Sequence, residues 1–184
     1  MNTDTGALPI ECKRLRLRRF TPLDLDPFVA YRRDEEVQRY QGWPRPYTAE
    51  LGRALIEQMQ HGPLLHPGAW AQIAIAERET DTLIGDIGTY RSADTPGEYT
   101  LGFTIAPAQQ RRGLASEALR AWLRALQEQG EATRVLAISD ARNLASQRLL
   151  ARLGFVFDHA EPAEYFGESC VDRHYVLVGP GKQG

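Results

Sequence analysis

The run Gln110-Arg111-Arg112-Gly113-Leu114-Ala115-Ser116 decides the fold. It follows a strand-like segment, Tyr99 to Ala106, and opens an amphipathic helix. Leu114, Ala115, Ala118, Leu119, Trp122, Leu123 and Leu126 share one stripe of that helix, and Arg120, Arg124, Gln127 and Glu128 lie off it. The first turn of a helix leaves its amides unpaired and carries the positive end of the helix dipole. A glycine at that point, beside two arginines, therefore makes a seat for phosphate or pyrophosphate. A phosphorylated cofactor is expected there.

The elements on either side alternate within one body. Glu11 to Arg19 is a strand candidate. Thr21-Pro22-Leu23-Asp24 then supplies an N-cap, a proline at the first helical position and an early carboxylate, which predicts a helix to about Tyr40 with Leu25, Phe28 and Val29 inward. Gly42-Trp43-Pro44-Arg45-Pro46 breaks the chain, and a second helix is expected from about Thr48 to Gln60 with Leu51, Leu55, Ile56 and Met59 as its core stripe. Three strands follow, Trp70 to Arg78, Thr82 to Arg91 and Glu98 to Ala106, joined by turn chemistry at Glu79-Thr80-Asp81 and Asp94-Thr95-Pro96-Gly97. They predict an antiparallel meander. After the cradle helix, about Gly113 to Gln129, come a strand Thr133 to Ser139, a helix Asn143 to Arg152, and closing strands near Phe155 to His159 and Cys170 to Val178. A strand, a helix and a strand in succession imply a crossover and some parallel pairing. The fold class is a single-domain α/β mixed sheet over residues 1–184, with an antiparallel meander, a parallel crossover and helices on both faces. Trp70, Trp122 and Phe155 are assigned to its core.

Composition limits the alternatives. The chain has 184 residues, 42% hydrophobic and 25% charged, with a formal charge of −2, so nothing draws it generally to nucleic acid or to an anionic membrane. Arg14, Arg16, Arg18 and Arg19 alternate with Leu15 and Leu17, which reads as an exposed or edge strand rather than an RNA-binding stripe. Cys12 and Cys170 have no neighbouring Cys or His at metal-ligand spacing, and His61, His66, His159 and His174 are scattered, so neither a metal nor a disulfide framework is expected. The start, Met1-Asn2-Thr3-Asp4-Thr5, lacks the pattern of a signal peptide, and a cytoplasmic protein is expected.

The order of elements and two motifs resemble the GNAT superfamily of acyl-coenzyme A-dependent N-acyltransferases over nearly the whole chain. The first is the Q/R-x-x-G-x-G/A run, here Gln110 to Ala115. The second is N-x-x-S before a helix that ends in G-F, here Asn143, Ser146 and Leu153-Gly154-Phe155. The nearest branch looks like the ribosomal-protein N-terminal acetyltransferases and the related antibiotic acetyltransferases.

The resemblance implies acetyl-coenzyme A as co-substrate. Its pyrophosphate would lie on the amides of Arg111, Arg112, Gly113, Leu114, Ala115 and Ser116 beside Gln110, and its pantetheine arm would pair with the backbone of Phe103, Thr104 and Ile105. Asn143 would meet that arm from the far side. A bulge in the strand before the cradle would aim an amide at the thioester carbonyl and stabilise an oxyanion. On the bare residues, Asn143 serves equally as a plain N-cap and Ser146 as a solvated helix serine.

Attack of an amine on a thioester needs a base for the amine proton and an acid for the leaving thiolate. Some relatives use a tyrosine on the second motif's helix as the acid, and alignment on Asn143 puts Leu150 there. Ser146 resembles the serine given this role in the ribosomal-protein branch, and it or an ordered water is the candidate for meeting the thiolate. Many relatives carry a glutamate two residues before the glycine matched by Gly102. Here Thr100 stands in that place, and Glu98, on the same face about 7 Å further along, is the candidate base acting through water. Asp86, Glu164 and Glu168 are the other carboxylates in reach, and Glu98 reads equally as a solvated turn residue.

The acceptor site is expected between the Tyr40-Gln41-Gly42-Trp43-Pro44 junction and the loop Glu161 to Ser169, with Tyr40, Trp43, Tyr165 and Phe166 as an aromatic wall. Acidic residues near these segments suit an amine acceptor: a peptide N-terminus, a polyamine or an aminoglycoside-like molecule. Two readings remain, an N-acetyltransferase acting by direct attack in a ternary complex and a non-catalytic acyl-coenzyme A-binding sensor or interaction module. A homodimer stays open in either.

Overall fold

A computed structural model describes residues 8–128 and 132–179. The opening residues Met1 to Thr5 and the expected helix end at Gln129 lie outside the described residues. The strand expected over Glu11 to Arg19 is two strands, β1 (Ile10–Glu11) and β2 (Leu15–Arg18), reversed by a turn in which Cys12 N–H donates to Leu15 O at 2.8 Å. Leu15 and Leu17 are fully buried, as period-two alternation requires.

The arginines of this segment are not the solvated fringe of an edge, because β2 lies between β1 and β3 (Trp70–Glu77). Arg18 is buried against Asp24 at 2.7 Å, Arg16 pairs with Glu11 at 2.6 Å, and Arg19 donates to Met59 O and Gly62 O. Those two carbonyls close the end of α3 (Ala49–His61), where a cation also opposes the helix dipole.

Thr21, the expected N-cap, and Asp24, the expected early carboxylate, join in a capping box around a 3₁₀ turn, Pro22–Asp24. The helix after it stops short of Tyr40. It is split into α1 (Leu25–Arg33) and α2 (Glu35–Gln38) at Asp34, whose backbone is extended (φ −65°, ψ 127°) and whose carboxylate accepts Val37 N–H at 3.1 Å. Aspartate competes as a cap wherever the chain can restart a helix, and here it does. In α3 the inward stripe keeps Ile56 and Met59 but leaves Leu51 exposed. Gly52 faces α1 instead, so closely that a Cβ there would lie 2.8 Å from Val29 Cγ2.

The meander of β3, β4 (Leu83–Arg91) and β5 (Glu98–Ile105) is antiparallel as expected. α4 (Leu114–Glu128), β6 (Arg134–Asp140) and α5 (Leu144–Arg152) follow, and then β7 (Val156–Tyr165) and β8 (Glu168–Val178). The eight strands run in the order β1-β2-β3-β4-β5-β6-β8-β7, and β5–β6 is the parallel pair. β7 and β8 are longer than expected. The Glu161 to Ser169 loop is the tip of a hairpin that turns at Phe166 and Gly167, both at positive φ.

Two cores cover the two faces of the sheet. One gathers Leu114, Leu119, Trp122 and Leu126 of α4 and Leu149 and Leu150 of α5 against β2 to β6, and the other gathers Phe28, Val29, Ile56 and Met59 of α1 and α3. Fully burying a side chain such as Leu119 is worth about 2 kcal/mol, so α4 is anchored by its stripe and not by propensity. The buried Trp122 indole donates to Thr89 Oγ1 at 2.8 Å. Trp70, expected in the core, is half exposed on the ring of Tyr90, because at the start of β3 it borders an open cavity. No helix among the described residues is long and apolar enough to cross a membrane.

Candidate active site

The cradle forms where the chain leaves β5. Arg111 and Gly113 sit at φ 61° and 77°, and the first helical hydrogen bond of α4 is Glu117 N–H to Gly113 O. Among the described residues, no amide from Arg111 to Ser116 donates to a backbone carbonyl. Consecutive free N–H groups at a helix start, with positive φ between them, form a concavity for an anion. Arg14 braces it from the turn between β1 and β2. Its backbone N–H and Nε donate to the two Glu117 carboxylate oxygens at 2.7 and 2.8 Å, and its Nη1 donates to Arg112 O at 2.9 Å. Burial works against the Glu117 charge, but these bonds outweigh it and hold the carboxyl below its usual range.

The cleft beside the cradle comes from strand divergence. β5 and β6 pair only from Glu98↔Arg134 to Leu101↔Ala137, after which β6 stays with β8 as far as Asp140↔Asp172. At the two ends of the β4–β5 ladder, Ala106 N–H donates to Ile84 O and Ser92 N–H donates to Glu98 O. Even-numbered residues of β5 therefore point their backbone groups at β4, and Phe103 and Ile105 point theirs into the gap. Gln110 Nε2 already donates to Ile105 O at 3.0 Å, which leaves the Phe103 amide and carbonyl and the Ile105 amide facing the cleft.

The expected bulge in this strand is absent. β4 and β5 stay in step from Arg91↔Tyr99 to Gly85↔Ile105, and the irregularity lies on the other side of β4, between it and β3. Divergence of β6 opens the gap without an inserted residue. Gly85 keeps β4 tight against β5, since a Cβ there would lie 2.2 Å from Thr104 O.

A cleft of 730 Å³ gathers most of the residues singled out from sequence. Phe103, Thr104, Ile105, Gln110, Arg111, Gly113, Leu114, Ala115 and Ser116 line one side, and Asn143 and Ser146 line the other. Asn143 is also the N-cap of α5, its Oδ1 accepting Ser146 N–H at 3.1 Å, so its amino group is the end it offers to the cleft. Arg112 is the exception in the cradle. Its side chain donates to Gln109 Oε1 and does not line the cleft, while its carbonyl is held by Arg14.

A second cavity, 310 Å³, abuts the first, with Tyr40, Gln41 and Arg142 in both walls. Thr100, Leu101, Gly102, Trp70, Ile138, Asp140 and Asp172 of the sheet line it together with Tyr165 and Glu168 at the β7–β8 hairpin tip. Gly42 lies against the Tyr165 ring, so the α2–α3 junction meets the hairpin tip. Of the expected aromatic wall, Tyr40 and Tyr165 line this cavity. Trp43 packs instead on the Arg32 guanidinium at 4.2 Å, and Phe166 carries Arg45 at 4.6 Å. Asp140 is held below the usual carboxylate range by the Arg142 guanidinium 2.6 Å away. Asp172 accepts the Tyr165 hydroxyl at 2.5 Å, which pushes that phenol well up.

Glu98, the candidate base, stands outside both cavities. It lies at the start of β5 where β6 is still paired, and its carboxylate is taken by Arg134 at 2.9 Å. Asp86 is buried under α1, where Tyr31 Oη donates to it at 2.6 Å and Arg32 at 3.0 Å, and Glu164 lies on exposed β7 outside the cavity. Glu168 is the one of these four that reaches the cavity. Arg14 and Arg142 were missed as site residues. Arg142, beside Asn143 in the second motif, was legible as a neighbour, whereas nothing near Arg14 in sequence signals the cradle.

Known proteins share this architecture. The acetyltransferase (GNAT) domain family matches residues 14–156. The uncharacterized N-acetyltransferase YoaA of Bacillus subtilis (strain 168) is 30% identical over 146 residues, covering 79% of this chain and 81% of YoaA. A GNAT-family acetyltransferase from Bacillus anthracis superposes with a TM-score of 0.80 at 20% identity, covering 93% of this chain and 98% of that one. The RimL ribosomal L7/L12 alpha-N-protein acetyltransferase, in complex with coenzyme A, gives 0.76 at 17% identity, with 94% and 97% covered. With its cradle, its diverging strands and these relatives, the chain belongs to the GNAT family of acyl-coenzyme A-dependent N-acetyltransferases.

Proposed function

We propose that this protein transfers an acetyl group from acetyl-coenzyme A to a primary amine, a peptide N-terminus or a small cationic amine, by direct attack in a ternary complex. One observation carries the reading: two cavities meet at Tyr40, Gln41 and Arg142, one beside free amides and an unpaired strand edge, the other lined by carboxylates and aromatic rings. The residues present fit the cofactor. The amides from Arg111 to Ser116 suit its pyrophosphate, and the Phe103 and Ile105 backbone suits an amide-bearing arm laid down as an added strand. The coenzyme A held by RimL, a protein of the same fold, agrees with this. When bound, acetyl-coenzyme A supplies the activated thioester.

The chain's own groups do the rest. Tyr40, Trp70 and Tyr165 line the cavity with aromatic rings that suit a cationic amine, and Glu168 is the lining carboxylate committed neither to an arginine, as Asp140 is, nor to a phenol, as Asp172 is. Glu168 takes the amine proton, directly or through water. Ser146, in the wall of the cofactor cleft, offers the proton for the departing thiolate. Positioning of two substrates in adjoining cavities supplies much of the rate without a strong base. Thiol release, measured with a panel of N-terminal peptides, polyamines and aminoglycosides, tests the proposal. It requires acetylated amine in step with free thiol for at least one acceptor, and coenzyme binding with no turnover on the whole panel would favour the sensor reading.

A further inference from the structure

Pairing of β7 with β8 brings together two histidines that are fifteen positions apart in sequence. His159 and His174 are direct cross-strand partners, with rings stacked at 4.3 Å and an interplanar angle of 11°. A register shift between Phe157 and His159 produces this: Phe157 opposes Tyr175 and His159 opposes His174, so Asp158 is the extra residue. The same bulge brings Asp158 Oδ2 to 2.9 Å from His159 Nδ1. Glu161, two residues along β7, shares the His159 face. Its Oε1 lies 3.0 Å from His174 Nε2 without the alignment of a hydrogen bond, and solvent does not reach that nitrogen. Ligand atoms of all three side chains lie within 4.8 Å of one another.

We propose that His159, Glu161 and His174 bind a divalent transition-metal ion of the zinc class, contrary to the sequence expectation of no metal. Two imidazoles and a carboxylate are a borderline N/O donor set, and water completes a tetrahedron. At bond lengths of ~2.1 Å the ligand atoms of such a site lie about 3.4 Å apart, close to the spacing already held between Glu161 and His174. Parallel stacked rings do not aim their lone pairs at one point, so binding requires the exposed His159 ring to turn off the stack about its contact with Asp158 and the exposed Glu161 to follow. Asp158 holds Nδ1 of His159 and so presents Nε2 to the ion, as an outer carboxylate commonly does for a metal-bound histidine. The ion would tie β7 to β8 at the base of the hairpin that carries Tyr165 and Glu168 to the second cavity.

The site stands apart from the acetyl-transfer reading, and its test measures binding. Metal-stripped protein is titrated with Zn²⁺ by calorimetry, and its melting temperature is followed in parallel. One ion per chain and a concentration-dependent rise in Tm are expected. His159→Ala and His174→Ala should each weaken binding at least tenfold, Asp158→Asn by roughly ten- to a hundredfold, and His61→Ala and His66→Ala not at all. If His174→Ala does not fold, Glu161→Gln at an exposed position carries the same requirement. Absence of binding, or equal affinity in the His159 and Glu161 variants and the parent, overturns the site.

Discussion

Asp86→Ala should destabilise the fold severely, and the reason lies in its partner. Asp86 is 2% exposed and Arg32 is 5% exposed. The guanidinium is packed against the rings of Phe28, Trp43 and Tyr47 at 4.3, 4.2 and 5.2 Å. Burial opposes its charge, and the Asp86 carboxylate, together with the Tyr31 and Tyr47 hydroxyls, outweighs that penalty. Arg32 Nε has no hydrogen-bond partner among the described residues, and the groups that favour its charge besides Asp86 are the phenols of Tyr31 and Tyr47, weaker acceptors than a carboxylate. Breaking one side of a buried pair costs about 3–5 kcal/mol, because the remaining charge is left in a dry site. For a chain of this length each kcal/mol moves Tm by roughly 2–4 °C, so a fall of about 6–20 °C is expected. Guanidinium denaturation with a paired thermal melt measures it. Removing both partners in Asp86→Ala/Arg32→Met should restore much of the loss, since the stranded charge goes too. If Asp86→Ala stays within ~1 kcal/mol of the parent while turnover collapses, Asp86 acts as a proton acceptor and the anchoring argument is wrong.

Gly113→Glu should abolish coenzyme A binding by bringing a carboxylate beside the free amides, while the chain stays folded: at φ 77° the side chain costs about 1–2 kcal/mol of backbone strain, and the space around its Cβ holds only Arg14 Nη2 at 3.7 Å. Calorimetry showing near-parental affinity in the folded variant would move the phosphate seat elsewhere. Ser146→Ala should lower turnover by roughly ten- to a thousandfold with coenzyme affinity unchanged, as read from initial rates and a binding isotherm. Glu168→Gln should reduce turnover and alter the acidic limb of the pH–rate profile, whereas Glu98→Gln, which touches neither cavity, should leave that limb in place. Arg142 depresses the Asp140 carboxyl in the fold, so the stability it lends is present above the unfolded value near ~3.9 and is lost as pH falls through the lower native value. Arg142→Ala, which keeps the backbone N–H bond from position 142 to Asp140, should raise that carboxyl part of the way toward its ordinary range in an NMR titration and shrink the acid dependence.

The cradle and the meander were legible because their signals are local. A glycine after a strand and before a 3.6-period stripe specifies its own geometry, and so does an alternating run between two turns. What was missed depends on partners distant in sequence. Arg18 looked solvated until Asp24 and Asp81 closed around it, and Arg14 looked like edge charge until Glu117, 103 positions away, took its guanidinium. Glu98 shares a face with Thr100 and Gly102, as alternation required, but alternation does not say where β6 parts from β5, and the parting comes after Leu101. Asp34 ended a helix early because a cap and a helix interior compete for the same residue. The His159–His174 pair depends on a one-residue bulge, and spacing carries no trace of that.

The wall made by Tyr40, Gln41 and Arg142 constrains how this enzyme can diversify. Under the proposed function those three side chains face donor and acceptor at once, so a substitution that re-tunes acceptor choice there also disturbs the donor. Arg45, Trp70, Tyr165 and Glu168 border the acceptor cavity alone. Variation selected for a new amine should therefore gather on the hairpin tip and the start of β3, while the shared wall drifts slowly, each change in it needing a compensating change across the cleft.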